Sequence, residues 1–293
     1  MEHILSNGIL EVLISEHGAE INSLRRVTAP TEYIWQGDPA YWNRRAPLLF
    51  PIVGNLWKGE AHMETGTYNI SKHGFARDMH FEKTTDEDRH MAFTCEADEQ
   101  TRTCFPFDFS LTVDYRLLRN VLTVGWIVKN KSDRTMYFHI GGHPAFAYPR
   151  FKADDEVHGY MSFDKPKQID NTLLTPGGYA TADSEAIELN SDGLLPLTNN
   201  TFDCDTILDI TGQIHRITLH TKEGRPWITL KHEMPVTALW SPCGGKAPFV
   251  CIEPWQGCCD TEGYDGDFEQ RPFTVEVPPG DIWQTSYQII VEF

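Results

Sequence analysis

Three short motifs, far apart in the chain, each carry one group able to move a proton. They are Lys72-His73-Gly74-Phe75-Ala76-Arg77, Gly141-Gly142-His143-Pro144-Ala145-Phe146 and Cys251-Ile252-Glu253-Pro254-Trp255. Each sets an ionisable side chain beside glycine or proline and near an aromatic ring. That setting suits a polar group held on bent backbone over an apolar floor. Two imidazoles and one carboxylate, brought to one pocket, suffice for acid–base chemistry in both directions without a cofactor.

Glu253 follows the apolar run 247–252, which reads as a buried strand. Glutamate is almost never fully buried unless it is paired or functional. Burial raises a carboxyl pKa toward the working range of a general base. Pro254 is expected to end the strand's hydrogen bonding, and Trp255 to offer an apolar wall to a sugar face. His143 comes after the strand-like run 137–140, between two glycines and a proline, a bend that aims a side chain off a sheet. His139, four residues earlier, reads as a structural neighbour. His73 lies in a glycine-containing turn, with Arg77 four residues on. The planar donor fork of Arg77 and of Arg45 suits an anion or sugar hydroxyls. Arg45 precedes the apolar, proline-bounded segment 46–54, which would fix its position. Trp35, Trp42, Trp255 and Trp283 stand beside turn or loop residues, where a ring can stack on a sugar.

The same residues raise the question of a metal. Cys251, Cys258 and Cys259 have C-x6-C-C spacing, which is not a zinc pattern. His139, His143 and Glu253 would make a two-histidine, one-carboxylate set. There is no H-E-x-x-H and no cupin-type H-x-H followed by glutamate. We expect no metal and no cofactor.

The elements that must position these groups read as strand after strand. Residues 9–14, 109–115, 121–128, 214–220, 227–232, 273–277 and 285–291 are β-rich, most with period-two alternation. Leu118-Arg119-Asn120 reads as a hairpin turn. Long amphipathic helices are scarce, and no β–α alternation or glycine-rich phosphate loop appears. Residues 152–205, punctuated by Pro, Gly, Asp and Asn, read as a loop-rich excursion rather than a separate domain. The expectation is an all-β fold, one large antiparallel β-sandwich forming a single domain over residues 1–293.

Composition narrows the partners. Lys and Arg total 25 against 42 Asp and Glu, a net charge of −17. That argues against nucleic acid and against an anionic membrane surface. It leaves room for a small anion held by local arginines. Residues 1–7 lack a basic region and an apolar run, and no stretch approaches the roughly 20 apolar residues of a membrane helix. We therefore expect a cytoplasmic protein, a monomer or homodimer, whose seven cysteines are mostly thiols.

Taken together, the segments 46–54, 73–77, 142–146 and 252–255, with the acidic stretch 260–267, occur in an order that resembles the aldose 1-epimerase (galactose mutarotase-like) superfamily. The likeness is greatest to its LacX-like branch and spans nearly the whole chain. It implies a β-super-sandwich with a sugar bound across one concave sheet. It also implies a cofactor-independent mutarotase. In that reading His143 donates a proton to the ring oxygen, Glu253 accepts the proton of the C1 hydroxyl, and His73 hydrogen-bonds the sugar. The form of the 73–77 motif is similar to the hexose-6-phosphate mutarotase branch, where arginines hold the phosphate. Arg77 matches by motif, and Arg45 or its neighbour Arg44 would be the second. The partner is then a sugar or sugar phosphate. A non-catalytic carbohydrate-binding or sensor protein on the same scaffold is the alternative.

Overall fold

A computed structural model describes residues 1–29, 31–164, 167–203, 205–244 and 246–293. Its largest sheet has nine antiparallel strands. From one edge to the other they are Leu194–Thr198, Val157–Phe163, Arg216–His220, Pro226–His232, Ile282–Val291, Val121–Asn130, Phe109–Leu118, His90–Glu96 and Glu82–Glu87. Phe109–Leu118 and Val121–Asn130 pair over ten residues around the two-residue turn Arg119-Asn120, with Arg119 at φ 54°. Their strict burial alternation is the period-two signal of the sequence made physical.

A second sheet packs over the first. Its strands run Ile207–Asp209, Val236–Trp240, Phe249–Gln256, Ile140–Gly142 and Leu48–Leu49, with Ala145–Ala147 also paired to Phe249–Gln256. A three-stranded sheet at the N-terminus, Glu2–Ser6, Leu10–Ser15 and Ile21–Arg26, closes one side. Phe109, Leu111, Val113, Val124, Trp126 and Val128 from the large sheet meet Ile140, Val250 and Ile252 from the second. This continuous core runs from Leu5 to Val291, so the expected antiparallel β-sandwich is present. Among the described residues the one α-helix is Glu99–Cys104, closed at its start by the Asp98/Thr101 capping box. No helix among them is long and apolar enough to cross a membrane.

Residues 152–205 depart from expectation. Val157–Phe163 and Leu194–Thr198 extend the large sheet, and Gln168–Leu174 with Ala180–Glu188 form a hairpin. Most of Ala180–Glu188 is exposed. The partner strand Gln168–Leu174 buries polar Asn171 and Thr172 beside Ile169, so no clean apolar alternation announces it.

Candidate active site

Strand Phe249–Gln256 runs through the middle of the second sheet, between Val236–Trp240 and the short strands at 140–147. Alternation sends Val250 and Ile252 into the main core. Phe249, Cys251, Glu253 and Trp255 take the other face, where small clusters of aromatic and sulfur side chains gather. On the 140–147 side the ladder is interrupted. Gly141 pairs with Trp255 and Ala145 with Cys251, which leaves residues 142–144 opposite 252–254 out of regular register. Pro254 was expected to end the strand. Instead the strand continues to Gln256, with Pro254 in register with Thr237. The interrupted ladder beside it is where a residue without an N–H is tolerated.

The same gap frees His143 from the sheet. Its N–H donates to the Pro47 carbonyl at 3.1 Å. Its Nε2 comes to 3.2 Å from Glu253 Oε2. Gly141 makes room beside the pair, since a Cβ there would lie 2.6 Å from the Trp255 ring. The His143 ring stacks on Trp42 at 4.8 Å and meets the edge of Trp240 at 5.6 Å. Trp42 is held in turn by Trp35, whose indole N–H donates to the Trp42 carbonyl.

His73 reaches the same point from a strained turn. Its φ is 65°, a region that non-glycine residues seldom occupy and that clusters at functional sites. Its N–H donates to Gly54 O at 2.9 Å, and the Gly54 N–H donates to His73 Nδ1 at 3.1 Å. Nδ1 is thereby the acceptor, so the neutral ring carries its proton on Nε2. The His73 ring lies 5.6 Å from that of His143 and 6.1 Å from that of Trp255, centroid to centroid.

These groups form one end of a cleft of about 820 Å³. The lining also includes Thr175, Asp203, Asp205 and Thr206, contributed by the 152–205 excursion and the residue that follows it. Glu253 is 1% exposed. Burial pushes its carboxyl well above the usual range, against the opposing pull of Lys72 and the Trp255 indole N–H. The indole N–H nevertheless misses hydrogen-bond geometry. Glu253 Oε2, His143 Nδ1 and Trp255 Nε1 have no hydrogen-bond partner among the described residues. Burial also pushes His143 down to about 3, with Lys72, Arg77 and Arg44 adding repulsion. His73 is driven well below its ordinary value by burial and then by His143 and Lys72. Both shifts favour the uncharged forms, a protonated carboxyl and a neutral imidazole.

The cations sort differently from expectation. Arg77 lines the cleft and donates to the Lys72 carbonyl at 2.7 Å. Arg45 does not line it. Its guanidinium lies over Gly37, and its backbone N–H is held by Glu20. The adjacent Arg44 does not line the cleft either, but is bound to Asp78 at 2.9 Å beside Arg77.

Of the four tryptophans singled out, Trp42 and Trp255 line the cleft. Trp35 is buried beneath Trp42, and Trp283 packs edge-on against Phe138. Trp240 was missed, although an aromatic closing a strand just before Ser241-Pro242 is the signal that could have marked it. His139 turns away, bonded through Nε2 to Thr274 and packed near Phe268. The group that converges with His143 and Glu253 contains Cys251 instead. Cys258 and Cys259 are buried, with sulfurs 4.0 Å apart. Cys259 packs so closely on Gly54 that a Cβ on that glycine would lie 2.5 Å from its own.

Known proteins resemble this chain along its whole length. The aldose 1-epimerase family model matches residues 1–289. The plasmid-encoded protein LacX of Lactococcus lactis subsp. lactis is 27% identical over 98% of both chains. A galactose mutarotase related enzyme from Lactobacillus acidophilus superposes with a TM-score of 0.91 at 29% identity, over 100% of this chain and 98% of the other. A galactose mutarotase-like protein from Lactobacillus casei gives 0.91 at 28% identity over the full length of both.

Proposed function

Because the chain belongs to the aldose 1-epimerase family, we propose that it interconverts the α and β anomers of a hexose or related sugar by acid–base ring opening. One observation carries the reading: His143 Nε2 and Glu253 Oε2 stand 3.2 Å apart, buried and otherwise unpartnered, at the end of the cleft. An unpaired buried acid costs stability, and a protein that only bound sugar would have no need of it.

Ring opening needs a proton removed from the C1 hydroxyl and one delivered to the ring oxygen. Glu253 as carboxylate accepts the first, and His143 as imidazolium gives the second. His73 donates from Nε2 to a sugar oxygen and holds the ring in place. The open aldehyde rotates about C1–C2, and the same two groups close it on the other face. The working form, with the proton on His143, has the same proton count as the resting form, with the proton on Glu253. Its population is therefore independent of pH between the two titrations of the pair. No cofactor enters these steps, and a single domain over residues 1–293 carries them.

A sugar phosphate is the second reading, favoured by Lys72 and Arg77 in the cleft wall. Asp203 and Asp205 line the same cleft and oppose a dianion. A free sugar is therefore the first choice. The test follows freshly dissolved α-glucose, α-galactose and α-glucose 6-phosphate to anomeric equilibrium, with and without protein. Acceleration of a free sugar is expected. Acceleration of the phosphate alone selects the second reading. Saturable sugar binding without acceleration of any sugar points to a binding protein.

A further inference from the structure

Cys251 has no part in the proposed reaction, yet its thiol shares a buried cluster with the reacting pair. One ligand atom each from His143, Cys251 and Glu253 lie within 4.8 Å of one another, and all three residues are buried. We propose that this trio is an inhibitory binding site for a thiophilic divalent cation of the Zn²⁺ class. The ligands are His143 Nε2, Cys251 Sγ and a carboxylate oxygen of Glu253.

The strand builds most of the site. Cys251 and Glu253 are two residues apart and share a face of Phe249–Gln256, while His143 reaches them through the ladder gap. A tetrahedral zinc with bonds of 2.0–2.3 Å holds its ligand atoms about 3.3–3.7 Å apart. The His143–Glu253 approach of 3.2 Å already matches that spacing. Closing even the longest separation the trio allows takes about 1 Å of side-chain movement. Glu253 Oε2 is an independent sign of a ligand, because it is fully buried at the site with no hydrogen-bond partner.

The donor set of nitrogen, sulfur and oxygen selects zinc or cobalt over magnesium and calcium, which take oxygen ligands. Three protein ligands leave a fourth position, and His143 and Glu253 both line the cleft through which an ion would arrive. His143 Nδ1 has no acceptor to fix the ring. Metal-binding histidines ordinarily have one, so micromolar rather than structural-site affinity is expected. On binding, the Cys251 thiol proton and the Glu253 carboxyl proton leave to solvent. The ion occupies the His143 lone pair and the Glu253 carboxylate, the two groups that must carry protons. It is thus an inhibitor and no cofactor. Binding stands on the geometry alone, whereas inhibition rests on the proposed mutarotase reaction.

Co²⁺ titrated into the full chain is the probe. The expected result is one equivalent bound with tetrahedral visible absorption and a thiolate-to-cobalt charge-transfer band, both bleached by Zn²⁺. Cys251→Ser should abolish the charge-transfer band and weaken inhibition by Zn²⁺ at least about tenfold, with the uninhibited rate unchanged. The pair Cys258→Ser with Cys259→Ser should keep the band. Glu253→Gln keeps the thiol and should bind Co²⁺ at least about tenfold more weakly, which serves if Cys251→Ser fails to fold. A band that survives Cys251→Ser, or that vanishes with Cys258 and Cys259, overturns the site. So does an absence of cobalt binding. A protein that shows the cobalt spectrum but accelerates no sugar retains the site and loses the reaction. Acceleration without the spectrum does the reverse.

Discussion

Two buried acid–base pairs lie at and just beyond strand Phe249–Gln256, and they are treated in opposite ways. Asp260 receives Arg271 Nε at 2.6 Å on one oxygen and the Trp57 N–H at 2.8 Å on the other. Arg271 also donates to the Cys258 carbonyl at 3.0 Å. The Asp260 backbone bonds to Asn55 and Ala180, which ties the hairpin and the Gly54 segment to the sheet. Glu253 and His143 face each other at 3.2 Å with no such support. A pair in which both carboxylate oxygens and two guanidinium nitrogens are bonded keeps its charges fixed and ties the structure beside the site together. A pair left bare in a dry pocket keeps its proton movable. The first pair ties together the segments beside the cleft, and the second is the pair to which the proposed reaction is assigned.

Exchanging members of each pair separates the two behaviours. His143→Gln should slow anomer exchange by ~10²–10⁴-fold, with stability little changed. Adding Glu253→Gln should cost little beyond the larger single effect, since groups that act as a unit are not additive. Rates by polarimetry and midpoints in urea check both points. Asp260→Asn should show the converse. It strands Arg271 in the interior and should destabilise the fold by about 3–5 kcal/mol, while the folded fraction retains most of its rate.

The comparison sharpens with pH. The Glu253 carboxyl is raised by burial, so its contribution to stability is present below its ordinary 4.5 and is lost as pH rises through the raised value. His143 is depressed, so its contribution is present above 6.5 and is lost as pH falls toward about 3. Glu253→Gln should therefore match the parent below 4.5 and gain on it as pH climbs to neutrality, which thermal unfolding at a series of pH values will show. Gly54→Ala should have the smallest effect. A Cβ at φ 70° and 2.5 Å from Cys259 should cost about 1–3 kcal/mol. It should also lower kcat/KM by loosening the Gly54 N–H bond to His73.

Much of this was legible in the chain. The hairpin at residues 119–120 and the long strands around it follow from unbroken apolar alternation, because one of their faces is wet and the other dry. His73, His143 and Glu253 stood out because glycine and proline beside an ionisable residue mark a bent, close-packed backbone. What stayed hidden was set by partners distant in sequence. The extension of the strand through Pro254 depends on a gap in a neighbouring ladder. That Arg45 lies over Gly37 while Arg44 meets Asp78 depends on contacts made outside their own segment. The hairpin of Gln168–Leu174 and Ala180–Glu188 buries Ile169, Asn171 and Thr172 from one strand while most of the other is exposed, so its mixed polar composition resembles a loop. Cys251 was not marked as a ligand beside His143 and Glu253, since adjacency across a strand pleat does not resemble a metal motif in sequence.

The most direct test of the central claim is exchange NMR on the anomeric protons of galactose or glucose with the parent protein and with Glu253→Gln. The parent should produce α–β exchange cross-peaks well above the uncatalysed level, and Glu253→Gln should bind the sugar about as tightly yet leave those peaks at the uncatalysed level. Undiminished exchange in Glu253→Gln would contradict the assignment of Glu253 as the base.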